Sequence, residues 1–319
     1  MNVIALLFVS SLLASVFANT ATADEIKTIS ALGPFGDAKL VAVRDSVGVL
    51  ANIDNQLHYS KIVNDDLPPF QQFSPNRSAT WFAYKSLDSS RKKYLIVASS
   101  FDARSVRFYL SNMEVLDSVV LYEFSPKCDL NIDPTIERVE STVFVTYTCI
   151  VGAVNRRDLK TKNGLYQVSL LKADISDLRK WDEVSIVLSE YNNIEDGILQ
   201  YDPVTKTLNY IYESELLDQK HSGIFLKISR DMGVTWAPPI QLISMDSDNE
   251  PAAVLTKATQ HKLYVSSDRN SPGTSYAGGD IFVKSFSFDW SRSSKIRLLE
   301  LGKQMLLMDV IAFEDKTYF

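Results

Sequence analysis

The fold class that this sequence predicts is all-β, a β-propeller of five to six blades built from antiparallel four-stranded sheets. Three observations predict it. Short alternating strands separated by tight polar turns run through the chain, and sustained helical periodicity is absent beyond the N-terminal segment. A pattern of a short extended run, a polar turn and a returning aromatic or β-branched strand recurs from starts near 37, 78, 133, 196, 250 and 309. Those steps of roughly 40–60 residues are the size of one propeller blade with its loop insertions.

The first 23 residues form a separate element. Val3 to Ala18 is apolar and small, with no charged residue before Asp24, and reads as a signal peptide. Small residues offer cleavage after Ala18 or after Ala23. The expected mature chain, 24–319, is a single propeller domain, secreted to the extracellular space, and membrane-attached only if the signal segment is retained. No later stretch is apolar enough over sufficient length to span a bilayer as a helix.

The composition, 45% hydrophobic, 11% aromatic and 23% charged, describes a globular chain with an ample core. A net charge of -6 argues against a nucleic-acid partner, which calls for a basic face. Two cysteines, Cys128 and Cys149, are expected to pair in an oxidising compartment, a bridge worth about 3 kcal/mol in the chain-entropy model; two separate buried thiols are the alternative. His58, His221 and His261 are far apart in sequence, so neither a metal site nor a cofactor is expected. Asn76-Arg-Ser78 is a glycosylation acceptor triplet.

The strands follow in order. Val47–Ile53 and Leu57–Ile62 flank Asp54-Asn-Gln as a hairpin, its turn residues being tolerant of left-handed φ. Further strands are read at Val143–Thr148, Leu165–Leu171, Leu208–Tyr212, Ile224–Ile228, Lys262–Ser266 and Asp280–Lys284. Asp133, Asp196, Glu250 and Asp309 fall at matching places in the repeat, each at the start of a presumed innermost strand. They are candidate binding carboxylates ringing one channel mouth, where each would raise the pKa of the others. Capping of turns by Asp before Pro or Gly is the structural alternative.

Ser229-Arg-Asp231-Met-Gly233-Val-Thr235-Trp236 resembles the Asp-box, or BNR repeat, of the sialidase-like superfamily at each signature position, Ser229, Asp231, Gly233, Thr235 and Trp236. A degenerate copy runs from Lys172 to Trp181. Leu263 to Phe282, with Ser267-Asp268-Arg269 and Gly278-Gly279-Asp280-Ile281, resembles the blade repeat of TolB-like propellers. The resemblance implies a structural role for the Asp-box residues, as a hairpin turn remote from any active centre.

Sialidase-like enzymes bind the substrate carboxylate with three arginines and use a Tyr nucleophile assisted by Glu, with an Asp acid/base. Glu250, followed by Arg269 in the next strand, matches that pattern in part, and the resemblance implies catalytic roles for both. Arg269 also reads as the structural arginine of its turn. The Arg-Ile-Pro piece of the first blade is missing, Arg44 being the nearest substitute. No nucleophile elbow, zinc-protease helix or phosphate loop occurs.

Two functions follow. One is a secreted propeller presenting loops and aromatic side chains to a glycan or an extracellular protein partner; the other is an exo-glycosidase of sialidase type hydrolysing terminal glycan residues. The last repeat stops at Phe319. The propeller is therefore either incomplete at the C-terminus or closed by N-terminal residues, with Ile26–Ser30 or Leu40–Val43 pairing with the last strand.

Overall fold

The computed structural model describes residues 25–27, 35–64, 66–152, 164–216, 221–257, 260–301 and 306–319. The segment 1–23 lies outside the described residues. Strand β1 is Glu25–Lys27. The first four-stranded sheet is β2 (Phe35–Val43), β3 (Ser46–Ile53), β4 (Gln56–Lys61) and β5 (Gln71–Gln72). The second is β6 (Phe82–Ser86), β7 (Lys93–Ser99), β8 (Val106–Asn112) and β9 (Asp117–Phe124). The third is β10 (Leu130–Val139), β11 (Thr142–Val151), β12 (Leu165–Asp174) and β13 (Asp182–Glu190). The fourth is β14 (Asn193–Asp202), β15 (Thr207–Glu215), β16 (Ser222–Ser229) and β17 (Ile240–Ser247). The fifth is β18 (Asn249–Lys257), β19 (Gln260–Ser267), β20 (Asp280–Ser287) and β21 (Arg297–Leu299).

Among the described residues, then, five antiparallel four-stranded sheets follow one another in a propeller. A sixth, three-stranded sheet joins β22 (Ile311–Phe313) and β23 (Lys316–Tyr318) to β1 from the other end of the chain. Glu25, Ile26 and Lys27 pair in parallel with Lys316, Thr317 and Tyr318. Strand exchange between the two ends thus places two residues of the expected Ile26–Ser30 segment, Ile26 and Lys27, on the last strand, with Glu25 just before them.

The sequence pattern follows from position within a blade. The second strand of each blade lies between two strands of its own sheet and between two neighbouring blades, so both of its faces are buried. Accordingly β11 reads Thr-Val-Phe-Val-Thr-Tyr-Thr-Cys-Ile-Val with eight consecutive buried residues. The outermost strand β9 meets solvent and leaves Val119 and Val120 exposed. The hairpin read at 47–62 is present, with Asp54 and Asn55 both at positive φ (52° and 61°), which matches the twist of the strands it joins. Cys128 and Cys149 form a disulfide with their Cα atoms 5.7 Å apart, tying the link between blades 2 and 3 to β11.

The first strands of the sheets, β2, β6, β10, β14, β18 and β22, stand around a central channel, and residues of all six line one cavity. Their N-terminal ends define one end of the molecule, the mouth. The turns between third and fourth strands lie at the opposite end.

Candidate functional site

The mouth is built by backbone irregularity. Each of β2, β10, β14 and β18 breaks register beside its acidic residue: between Phe35 and Asp37, between Ile132 and Thr135, between Glu195 and Ile198, and between Pro251 and Ala253. A bulge puts an extra residue into a strand and re-aims the side chain there. Asp133 and Asp196 adopt positive φ (45° and 48°), a conformation that Asp tolerates better than most residues and that clusters at functional sites. Gly197 follows Asp196 because a Cβ there would collide with the Tyr210 hydroxyl.

The result is a cavity of about 390 Å³ lined by six carboxyl groups, Asp37, Asp133, Glu195, Asp196, Glu250 and Asp309. Lys39 is the single basic side chain among the described residues that line it, and its Nζ lies 3.4 Å from Asp37 Oδ1. The structure therefore brings Asp133, Asp196, Glu250 and Asp309 to one place and adds Asp37, Glu195, Lys39, Trp81 and Tyr276.

Several of these carboxyls also join blades. Asp37 Oδ2 accepts the amide of Phe82 (3.3 Å), Asp133 Oδ2 that of Asp196 (3.4 Å), and Asp309 Oδ2 that of Leu40 (3.0 Å). In each case one blade's acid holds the inner strand of the next. Glu250 instead meets Tyr276, whose hydroxyl lowers the carboxyl's pKa by hydrogen bonding.

Burial dominates the electrostatics. It pushes Glu250 well above the usual carboxyl range, Asp196 adds to the rise, and Lys39 opposes it. Asp133 is raised in the same way by burial and by Asp196. Asp309 is pushed up to about 6, again by burial, with Lys39 and the amides of Val310 and Leu40 limiting the rise. Burial lowers the Lys39 ammonium, but Asp37, Asp309, Asp196 and Glu250 together outweigh it and the net shift is upward. Behind the mouth, Glu213 pairs across the sheet with Glu195 and is buried, with its pKa raised by desolvation and by Asp196. The mouth thus holds carboxyls shifted toward the protonated form beside an ion-paired carboxylate.

Tyr276 reaches Glu250 from the long connection between β19 and β20. Asp268 Oδ1 accepts the amide of Asp248 (2.9 Å), and Asp268 Oδ2 accepts that of Gly273 (2.7 Å). Asp248 Oδ2 accepts the amide of Tyr276 itself (3.2 Å). Two buried aspartates thereby fix the loop that carries the tyrosine. Sequence reasoning missed Tyr276; the twelve residues between Ser267 and Asp280, long for a hairpin connection, were the available signal.

Arg269 does not line the cavity. Its guanidinium pairs with Asp246 at 2.9 Å, and no arginine lies among the described lining residues. Arg44 pairs with Glu114 away from the channel. Asn76 is exposed on the connection between β5 and β6.

The Ser229–Trp236 segment forms the turn between β16 and β17 at the end opposite the mouth. Asp231 accepts from Ser229 Oγ (2.8 Å), Thr235 N (2.9 Å) and Thr235 Oγ1 (2.6 Å), and Gly233 N donates to Ser229 Oγ (2.7 Å). Gly233 sits at φ 89°, and a Cβ there would meet Leu170. Trp236 Nε1 donates to Ser185 of the preceding blade (3.2 Å). In the 172–181 segment Asp174 accepts from Ser176, and Trp181 Nε1 donates to Leu178. A third such turn, Ser287-Phe-Asp289, was legible as Ser-x-Asp but escaped the sequence reading.

Among the described residues, no group of three or more His, Cys, Asp or Glu side chains is arranged to hold a metal ion, and no helix is long and apolar enough to cross a membrane.

No protein-family model matches the chain, and no curated protein does. Solved structures do resemble it. An α-L-arabinofuranosidase of Fusarium graminearum, in complex with an iminosugar inhibitor, superposes with a TM-score of 0.57 over 88% of this chain and 85% of its own, at 13% identity. A family-32 β-fructofuranosidase of Bombyx mori gives a TM-score of 0.51 over 83% of this chain and 63% of its own, at 10% identity. At such identities the likeness establishes a shared propeller fold.

Proposed function

We propose that the channel mouth is a carbohydrate site and that the protein is a secreted glycoside hydrolase acting on a neutral terminal sugar. The observation that carries this reading is the ring of inner strands, four of them bulged beside their acids, around one cavity lined by six carboxyls. Glycoside cleavage asks for a proton-bearing carboxyl on one side of the scissile bond and an ionised one on the other. Glu250, with its raised pKa, supplies the acid, and Asp37, ion-paired to Lys39, supplies the carboxylate. Trp81 and Tyr276 offer aromatic surface for the sugar. That both solved relatives above are glycosidases supports the reading.

The sialidase-like form of the proposal is narrower. Tyr276 beside Glu250 matches the Glu-assisted tyrosine that the resemblance implies, but an anionic sugar would meet carboxylates rather than arginines at this mouth. A neutral sugar is the substrate that the lining favours.

The test is a panel of fluorogenic glycosides, neutral ones and a sialoside, applied to the wild type and to Glu250→Gln. A neutral glycoside is expected to turn over and to lose about 10²–10⁴-fold of its rate in the variant. A second reading, a propeller that binds glycans without cleaving them, is favoured by the tie of Asp37, Asp133 and Asp309 to backbone amides of the next blade. Saccharide binding without turnover would establish that reading, and absence of both would remove the carbohydrate site.

Secretion rests on the apolar N-terminal segment and on the Cys128–Cys149 disulfide, a bond of oxidising compartments. N-terminal sequencing of the protein from culture medium should begin at Asn19 or Asp24. Full-length chain retained in the cell would contradict it.

A further inference from the structure

Away from the mouth, the cleft between blades 2 and 3 opens onto the side of the propeller. It has a volume of about 500 Å³ and joins aromatic rings to polar side chains. Tyr122 and Phe124 from β9 stack nearly parallel, their centroids 5.8 Å apart, and Phe124 meets Tyr147 edge-on at 5.5 Å. Trp181 closes the other wall against Phe108 at 4.4 Å, its Nε1 already donating to Leu178. Tyr122, Phe124 and Trp181 are only partly covered by the core beneath them. Neighbouring blades diverge toward the rim, which accounts for a gap here but not for its lining by three partly buried aromatic rings.

The polar part of the lining is mixed. Gln167 and Ser169 stand on β12, and Lys127 and Glu183 are exposed on opposite walls. One positive and one negative side chain leave the cleft without a dominant charge, which selects for a neutral ligand. The disulfide builds one wall: Cys149 lines the cleft and is bonded to Cys128, fixing the Ser125–Lys127 stretch against β11. Holding a wall covalently removes loop-ordering cost from binding.

A neutral ligand with apolar faces and a rim of hydroxyls fits this lining: pyranose rings stack on aromatic surfaces through their C–H faces, while amide, hydroxyl and carboxylate groups take the hydroxyls. We propose that the blade 2–blade 3 cleft is a second saccharide-binding site, holding a short neutral oligosaccharide apart from the channel mouth. The ligand class rests on the carbohydrate reading of the mouth; the cleft residues do not.

The test is calorimetric titration of the intact secreted protein with cellohexaose, xylohexaose and maltohexaose, repeated on Glu250→Gln, Tyr122→Ala and Glu183→Gln. At least one hexasaccharide should bind, and binding should survive Glu250→Gln. Tyr122→Ala should weaken it about tenfold, the loss expected for one stacking ring. Glu183→Gln changes an exposed side chain in a folded protein and should weaken it measurably, which guards against misfolding of the ring variant. The proposal is overturned if none of the three binds, if affinity ignores both cleft substitutions, or if a proline-rich decapeptide binds with Tyr122 dependence while the saccharides do not. Cleft binding that persists in a protein without glycosidase turnover would sink the catalytic reading and leave this one standing.

Discussion

The two ends of the propeller use the same chemical group in opposite ways. At the far end, Asp231 sits in an exposed turn, and hydrogen bonds from the Thr235 hydroxyl and amide and the Ser229 hydroxyl hold its pKa down to about 2. Asp289 is held to about 2 by Ser287 and Ser291 in the corresponding turn of blade 5. At the mouth, burial and neighbouring acids push Glu250 and Asp133 up instead, and Asp309 to about 6. A carboxylate that closes a turn is ionised and saturated with donors. A carboxyl buried among its own kind in a cavity is shifted toward the protonated form, the direction a general acid needs. What a buried or exposed Asp does is therefore set by the donors around it rather than by its place in a motif.

Exchanging the two ends' sensitivities would break this comparison. The largest expected effect is on turnover: Glu250→Gln should remove nearly all of it while leaving the melting temperature close to wild type, since glutamine reproduces a neutral acid. A large fall in melting temperature with activity retained would reverse the assignment of the two ends. Gly233→Ala should do the converse. Forcing a Cβ into left-handed φ and against Leu170 costs about 1–2 kcal/mol, seen as a lower denaturation midpoint with glycoside turnover per folded molecule unchanged. Loss of turnover in the folded fraction would show that the far-end turn communicates with the mouth.

How much of this was legible depended on range. The marks at Asp37, Asp133, Asp196, Glu250 and Asp309 are a local pattern, and a repeat topology carries a local pattern to equivalent places in every blade, so the structure gathers them without any long-range information being needed. The second blade is the exception: its mark at Ser78 precedes β6, and the mouth receives Trp81 there and no acid. The Ser229–Trp236 turn was legible for the same reason, since the bonds that Asp231 and Ser229 Oγ accept within it are internal and Ser185 alone reaches in from the preceding blade, to Gly233 O and from Trp236. Tyr276 was not, because its position depends on Asp248, 28 residues earlier, accepting its amide. Lys39 was missed because a lone lysine in a strand carries no signal until Asp37 of its own strand is joined by Asp196, Glu250 and Asp309 from three other blades. Arg269 was misleading in the opposite direction: adjacency in sequence to a candidate acid's blade said nothing about its partner, Asp246.

The smallest predicted effect sharpens the comparison through pH. A carboxyl raised in the folded state binds its proton more tightly there than in the unfolded chain, so between the two pKa values the folded state holds more protons and stability falls as pH rises. For Asp309 that window runs from the ordinary value of 3.8 to about 6, with the cost fully present above it. Asp231 has the opposite sign: its contribution is complete above 3.8 and is lost as pH falls toward about 2. Asp309→Asn, which can still accept the Leu40 amide, should flatten the decline in melting temperature between pH 4 and 6. Asp231→Asn should leave that window untouched and flatten only the acid limb. Melting curves collected from pH 2 to 7 on both variants separate the two ends. If Asp309→Asn left the pH 4–6 slope as it is in the wild type, the proton at the mouth would belong to the other carboxyls of the ring, with Glu250 and Asp133 the next to be replaced.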